Sequence, residues 1–219
     1  MHGEMYSQRP VDAYLVHRYL LDLVPLIASI STQNGDPRYH LKHADDKEDH
    51  ILVDEDYNVT GIIDWEWEHT APPCCAFNSP IGLLPVVNFY NGANDICPDE
   101  MTFARLLEEK RRQDLASVVR SGRIQRRFAF CCGYDLEDWE GFLGLVQGLR
   151  DAVDKDEGVS WDDWKAAASQ RYEDAGLVRL CRLLQHGCDV ECVITCLELT
   201  TPDLANISYV VIAPLGSSG

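Results

Sequence analysis

Apolar side chains recur at spacings of two to four along residues 11–30, where Tyr14, Val16, Tyr19, Leu20, Leu23, Val24, Ile27 and Ile30 follow a helical period. The spacing predicts an amphipathic helix there, which Pro25 kinks or ends. The pattern then changes. Residues 51–53 and 59–63 are short apolar runs rich in β-branched side chains, separated by the acidic turn former Asp54-Glu-Asp-Tyr-Asn58, and this is a hairpin signal. Beyond Asp64 the chain reads as mostly helical. Loops are expected at Thr70-Ala-Pro-Pro73 and Asn78-Ser-Pro80, a charged helix over residues 98–121, and further helices over 123–132 and 136–153. Ser160, three residues before Asp163, reads as the cap of another helix, and Trp139, Trp161 and Trp164 read as core aromatics. The expected class is mainly α with a small β-hairpin, an α+β arrangement.

The hairpin places chemistry at its open end. His43-Ala-Asp45-Asp-Lys47-Glu-Asp-His50 precedes the first strand, and Asp64-Trp-Glu66 follows the second. Closing the hairpin brings Asp45 and Asp64 to one edge, where one carboxylate can take a proton while the other holds a metal. Protein kinases divide the work in this way, with the Asp of H-R-D-x-x-x-x-N accepting the substrate hydroxyl proton and a second Asp binding the metal. His43, Asp45 and His50 fall at the His, Asp and Asn places.

The string HADDKEDHILVDEDYNVTGIIDWEWEHTAPP resembles the catalytic and metal-binding segment of the aminoglycoside phosphotransferase and choline kinase-like family, in particular its fungal members. The resemblance runs from about Tyr14 to about Leu177 and implies a protein kinase-like C-terminal lobe over residues 1–180. By resemblance, Asp45 is the catalytic base, Asp64 the principal Mg²⁺ ligand and His43 the structural anchor of the catalytic loop. ATP is the implied co-substrate. His50 replaces the family's Asn, and its nitrogen suits Mn²⁺ better than Mg²⁺, so it either coordinates the metal or hydrogen-bonds within the loop. Lys47 is a phosphate contact or an exposed counter-charge. Glu66 either widens an acidic patch for the substrate or faces water.

The family's nucleotide lobe has no counterpart in the residues before His43, which read as one helix, and no G-x-G-x-x-G or G-x-x-x-x-G-K-[ST] occurs. A truncated lobe, weakly active or inactive alone, is therefore expected. The alternative is a kinase-like binding or interaction domain without catalysis.

Charge narrows the partners. Nineteen basic against 36 acidic residues give a formal net charge of −17, which argues against nucleic acid and suits a small cationic acceptor, although it also serves general solubility. The one basic cluster, Lys110-Arg-Arg112 with Arg120, Arg123, Arg126 and Arg127, reads as a solvated helix face paired with Glu108 and Glu109. Nine cysteines without a C-x-x-C pair, and no secretory segment, indicate reduced, mostly buried thiols in a cytoplasmic protein. No apolar run is long enough to predict a membrane span. Residues 181–219 diverge from the family and form either an added strand pair or a disordered extension. Nothing in the sequence sets an oligomeric state.

Overall fold

The apolar stripe of residues 11–30 forms a single helix, α1 (Pro10–Thr32), unbroken through Pro25. Proline removes one intrahelical hydrogen bond, but the buried Leu23 and Ile27 on either side hold the helix against the core, and Pro25 itself faces solvent. The computed structural model describes residues 9–32, 38–43, 48–66, 68–133, 139–153 and 158–186. The sequence after residue 186, including its two β-branched runs, lies outside the described residues.

By length and composition alone, residues 10–30 are long and apolar enough to cross a membrane, which counting unbroken apolar runs does not register. In this fold the stripe is core. Tyr14, Leu15, Val16, Tyr19, Leu20, Leu23 and Ile27 are buried against α6 (Arg123–Gly133), α8 (Trp161–Arg171) and α9 (Ala175–Gln185). Asp12 meets Lys165 at 2.5 Å and Asp22 meets Arg171 at 2.8 Å, both partners on α8. The exposed Asp22–Arg171 pair contributes at most about 1 kcal/mol. Each buried aliphatic side chain contributes about 2 kcal/mol, so the apolar stripe decides how α1 sits.

The expected hairpin forms from β2 (Ile51–Val53) and β3 (Val59–Ile62), antiparallel, pairing Ile51 with Ile62 and Leu52 with Gly61, and with a register shift at Val53. Asp54 makes its turn. Its Oδ1 accepts the backbone N–H groups of Asp56 and Asn58 at 3.0 and 2.8 Å, and Tyr57 takes a left-handed φ of 62°. Hydrogen bonds from Asn58 hold the Asp54 carboxyl below its ordinary range. A second ribbon, absent from the sequence reading, pairs β1 (His40–Lys42) with β4 (His69–Ala71), so Thr70 and Ala71 belong to a strand rather than a loop. The partner segment lies too far along the chain for local pattern to reveal it.

The remaining helices are α2 (Pro73–Ala76), α3 (Val86–Tyr90), α4 (Pro98–Glu109), α5 (Gln113–Ser121) and α7 (Trp139–Val153). The molecule is mainly helical, with two small antiparallel sheets of two strands each. The continuous helix expected over residues 98–121 divides in two. Arg111 adopts φ 60°, its N–H bonds Glu108 O, and Arg112 N–H bonds Leu107 O at 2.9 Å. This is a Schellman stop made by arginine, where the usual glycine signal is missing. Ser160 caps α8 as expected, its Oγ accepting from Asp163 N at 3.1 Å. Trp164 is buried, and Trp139 and Trp161 pack beside it.

The basic cluster is not the solvated face that charge patterning suggests. Arg120 pairs with Glu108 at 2.6 Å, and Glu109 with Arg105, on the surface. Arg126 and Arg127, by contrast, are 8% and 0% exposed, and Arg123 reaches the buried Glu100 at 2.5 Å. The inner face of α6 carries these three; backbone carbonyls and Glu100 there accept from Arg123 and Arg127 in place of water.

Among the described residues no disulfide links Cys74, Cys75, Cys97, Cys131, Cys132 and Cys181. The Cys74 thiol and burial push Cys75 up, burial pushes Cys131 up, and Cys132 is raised to about 12. These thiols stay protonated and unreactive near neutral pH.

His17 of α1 gives the fold a pH dependence. Burial lowers it to about 4, against an ordinary value of about 6.5. The unfolded chain therefore binds this proton at a higher pH than the folded one, and stability is lost as pH falls from about 6.5 towards 4. Between pH 7 and pH 5 this one group is expected to remove about 2 kcal/mol. Urea midpoints at the two pH values should differ accordingly, and His17→Phe should remove most of that difference.

Candidate functional site

The open end of the hairpin gathers side chains from three places in the chain. The last turn before β2 is a 3₁₀ turn, Glu48–His50, and the hairpin ladder continues past β3 through Ile63 N–H to His50 O at 3.0 Å. His43, just after β1, sets its Nε2 2.8 Å from Ile63 O. A carbonyl only accepts, so Nε2 carries the proton in this contact. The His43 ring also meets the Trp65 indole edge to face at 4.8 Å, and Trp65 Nε1 donates to Ile62 O at 2.8 Å. His43 thus ties the segment after β1 to the exit of β3, a physical basis for an anchoring role.

Asp64 follows β3 with φ 64°. A left-handed backbone at a residue other than glycine costs on the order of 1 kcal/mol, less for Asp than for bulkier residues. Its Oδ2 lies 3.3 Å from His50 Nε2, and Asp49 Oδ1 lies 3.8 Å from the same nitrogen. Asp64 is 48% exposed, so this pair contributes at most about 1 kcal/mol and does not outweigh the backbone strain. The anchoring contacts of His43 and Trp65 on both sides of Asp64 hold the conformation. The result is a half-exposed carboxylate held at a fixed place.

Of the residues expected at this site, His43, His50 and Asp64 converge, with the two imidazoles 5.5 Å apart. Asp45 and Lys47 lie outside the described residues. Glu66 is exposed in the turn after Trp65. Trp65 and Asp49 join the cluster without having been anticipated. A tryptophan directly after the presumed metal aspartate was the available signal for the first.

Residues 48–68 contain no lysine or arginine, so the field at this end of the hairpin is negative and favours cations. Among the described residues, no three His, Cys, Asp or Glu side chains form a group able to hold a metal ion. Asp64 offers one carboxylate. That is within the habit of Mg²⁺, which is commonly bound by one or two carboxylates with waters and substrate phosphates completing its shell. His50 Nε2 faces the same carboxylate, so as placed it is the partner of Asp64.

The hairpin itself is unusually bare. Ile51, Leu52, Val53, Val59, Ile62 and Ile63 are all between 45% and 62% exposed. An isolated two-stranded sheet is marginal in water, and these side chains leave apolar surface on both faces of the hairpin beside Asp64. Comparison with family models, with characterised proteins and with solved structures finds no match to this chain.

Proposed function

We propose that the chain is a kinase-like lobe of a small-molecule phosphotransferase, moving the ATP γ-phosphate to a hydroxyl of a small cationic acceptor. The observation that carries this reading is the convergence of His43, His50 and Asp64 at the open end of the hairpin, with Asp64 held in a left-handed conformation. In this reading Asp45 accepts the acceptor's hydroxyl proton as its oxygen bonds the γ-phosphorus, and the bond from that phosphorus to the bridging oxygen of ADP breaks. Asp64 would hold Mg²⁺ or Mn²⁺, which supplies charge neutralisation at the phosphates. His43 positions the loop, Lys47 would contact phosphate, and Glu66 adds negative charge on the acceptor side. Catalysis rests on positioning and electrostatics more than on covalent chemistry. A cytoplasmic setting, as the sequence suggests, suits this chemistry.

One observation favours the second reading, a kinase-like interaction domain: the exposed apolar side chains of the hairpin, which a protein partner would cover.

Metal binding tests the first reading without depending on turnover, which is expected to be weak. Mn²⁺ and Mg²⁺ titrated calorimetrically into the wild-type chain should show one site. Asp64→Asn, whose side chain tolerates the same backbone, should weaken it at least tenfold. With ATP and a panel of aminoglycosides and amino alcohols, any phosphate transfer should vanish in Asp45→Ala. Metal affinity that ignores Asp64→Asn would remove the phosphotransfer reading. His50→Asn should lower the ratio of Mn²⁺ to Mg²⁺ affinity if the imidazole coordinates, and leave it unchanged if His50 serves only Asp64.

A further inference from the structure

A cavity of about 200 Å³ lies between the β1–β4 ribbon and α6, away from the residues assigned above. At roughly 30 Å³ per water it has room for about six waters, or for a small organic molecule. Lys42 and His69 are directly opposed in the ribbon, so their side chains stand next to one another on one face. Arg126 enters from α6, and Ile81 and Phe130 supply apolar wall. Gln125, 5% exposed and with its Oε1 lacking a hydrogen-bond partner, borders the space.

In a protein with 36 acidic and 19 basic residues, the residues that line this cavity include an arginine and a lysine. A guanidinium only 8% exposed is a strong fixed charge in a poorly screening environment. Its planar fork matches carboxylate and phosphate oxygens.

We propose that this cavity binds a small organic anion, a carboxylate or phosphate monoester with an apolar body, whose anionic end is taken by Arg126 and Lys42 and whose body lies against Ile81 and Phe130. The proposal does not rest on the phosphotransfer reading. Side chains alternate across a strand, so Lys42 faces the cavity while the chain next turns to His43 and the hairpin site.

The test is calorimetric titration of phenyl phosphate, benzoate and the neutral benzyl alcohol into the full chain. EDTA is present throughout, so that binding through a metal at Asp64 is excluded. Both anions should bind saturably, and benzyl alcohol at least about tenfold more weakly. Lys42→Met, a partly exposed strand position, should weaken both anions about tenfold, and Arg126→Lys, which keeps the charge but loses the fork, should weaken them as well. No saturable anion binding, equal binding of the alcohol, or affinities indifferent to both substitutions would overturn the proposal.

Discussion

Arg127→Met is expected to destabilise the protein by about 3 kcal/mol, the cost of taking a charged donor away from buried acceptors. Arg127 is 0% exposed. Its Nε donates to Asn94 Oδ1 at 2.7 Å and Nη1 to Phe89 O at 2.9 Å, Nη2 bonds Ala93 O, and the guanidinium stacks 4.4 Å over the Phe89 ring. These acceptors sit at the end of α3 and in the turn that follows it, where helix carbonyls lack intrahelical donors and favour a cation. Burial lowers the guanidinium to about 10, which still leaves it protonated at neutral pH. Methionine fills much of the volume but donates nothing, so Asn94 Oδ1 and Ala93 O would lose their donor and Phe89 O would keep only the Gly92 N–H, each loss costing about 1 kcal/mol or more. A domain has about 5–15 kcal/mol in total, and the denaturant midpoint should fall by a large fraction of its value. Arg127→Lys, with one point charge for three acceptors, should fall between wild type and Met. A loss below about 1 kcal/mol for Met would show that the turn finds other donors.

Gly144→Ala is expected to destabilise by about 3 kcal/mol, against the direction that helix propensity alone predicts. Within a helix, alanine is better than glycine by about 1 kcal/mol. A Cβ on Gly144 would, however, stand 1.9 Å from Tyr90 O and 3.2 Å from Asn91 Cα, both backbone atoms with no side-chain freedom to move. Gly148, one turn along the same face of α7, is also tight, its Cβ meeting Gly92 O at 2.6 Å. These two glycines allow the end of α3 to rest on α7, with Gly92 at φ 93° making the close turn. Overpacking a rigid contact costs about 1–3 kcal/mol or more, so sterics outweigh propensity. The melting temperature should drop by roughly 6–12 °C at this chain length. Gly61→Ala, whose Cβ would meet only Leu52 Cδ1 at 3.7 Å, should be close to neutral in the same assay.

These two positions show what local reading misses. Arg127 stands in a run of arginines that resembles a solvated face, and only acceptors from a distant turn turn it into a buried one. Its position directly before Phe128-Ala-Phe130 was the available hint. The same holds for Lys42, His69 and Arg126, which no spacing connects but which line one cavity.

The candidate site was legible in part. The hairpin followed from two β-branched runs and a turn that Asp54 can hydrogen-bond, and from it followed the expected approach of Asp45 and Asp64, of which Asp64 lies among the described residues, with His50 beside it. Trp65 as a second support of His43 did not follow, because an aromatic in that pattern reads equally well as core.

What the sequence determined by itself is therefore what short-range physics controls. Helix α1 follows from an apolar stripe, the β2–β3 hairpin from alternation broken by turn chemistry, and the cap at Ser160 from one hydroxyl three residues before an N–H. Each depends on residues within a few positions of one another. Tertiary structure decided the pairing of β1 with β4, the burial of the α6 arginines, the arginine-made stop after α4 and the left-handed conformation of Asp64. In each of these, a conformation or charge unfavourable in isolation is held by hydrogen bonds or packing, and for the pairing and the burial those contacts come from distant parts of the chain, so their free energy appears only once the chain has folded.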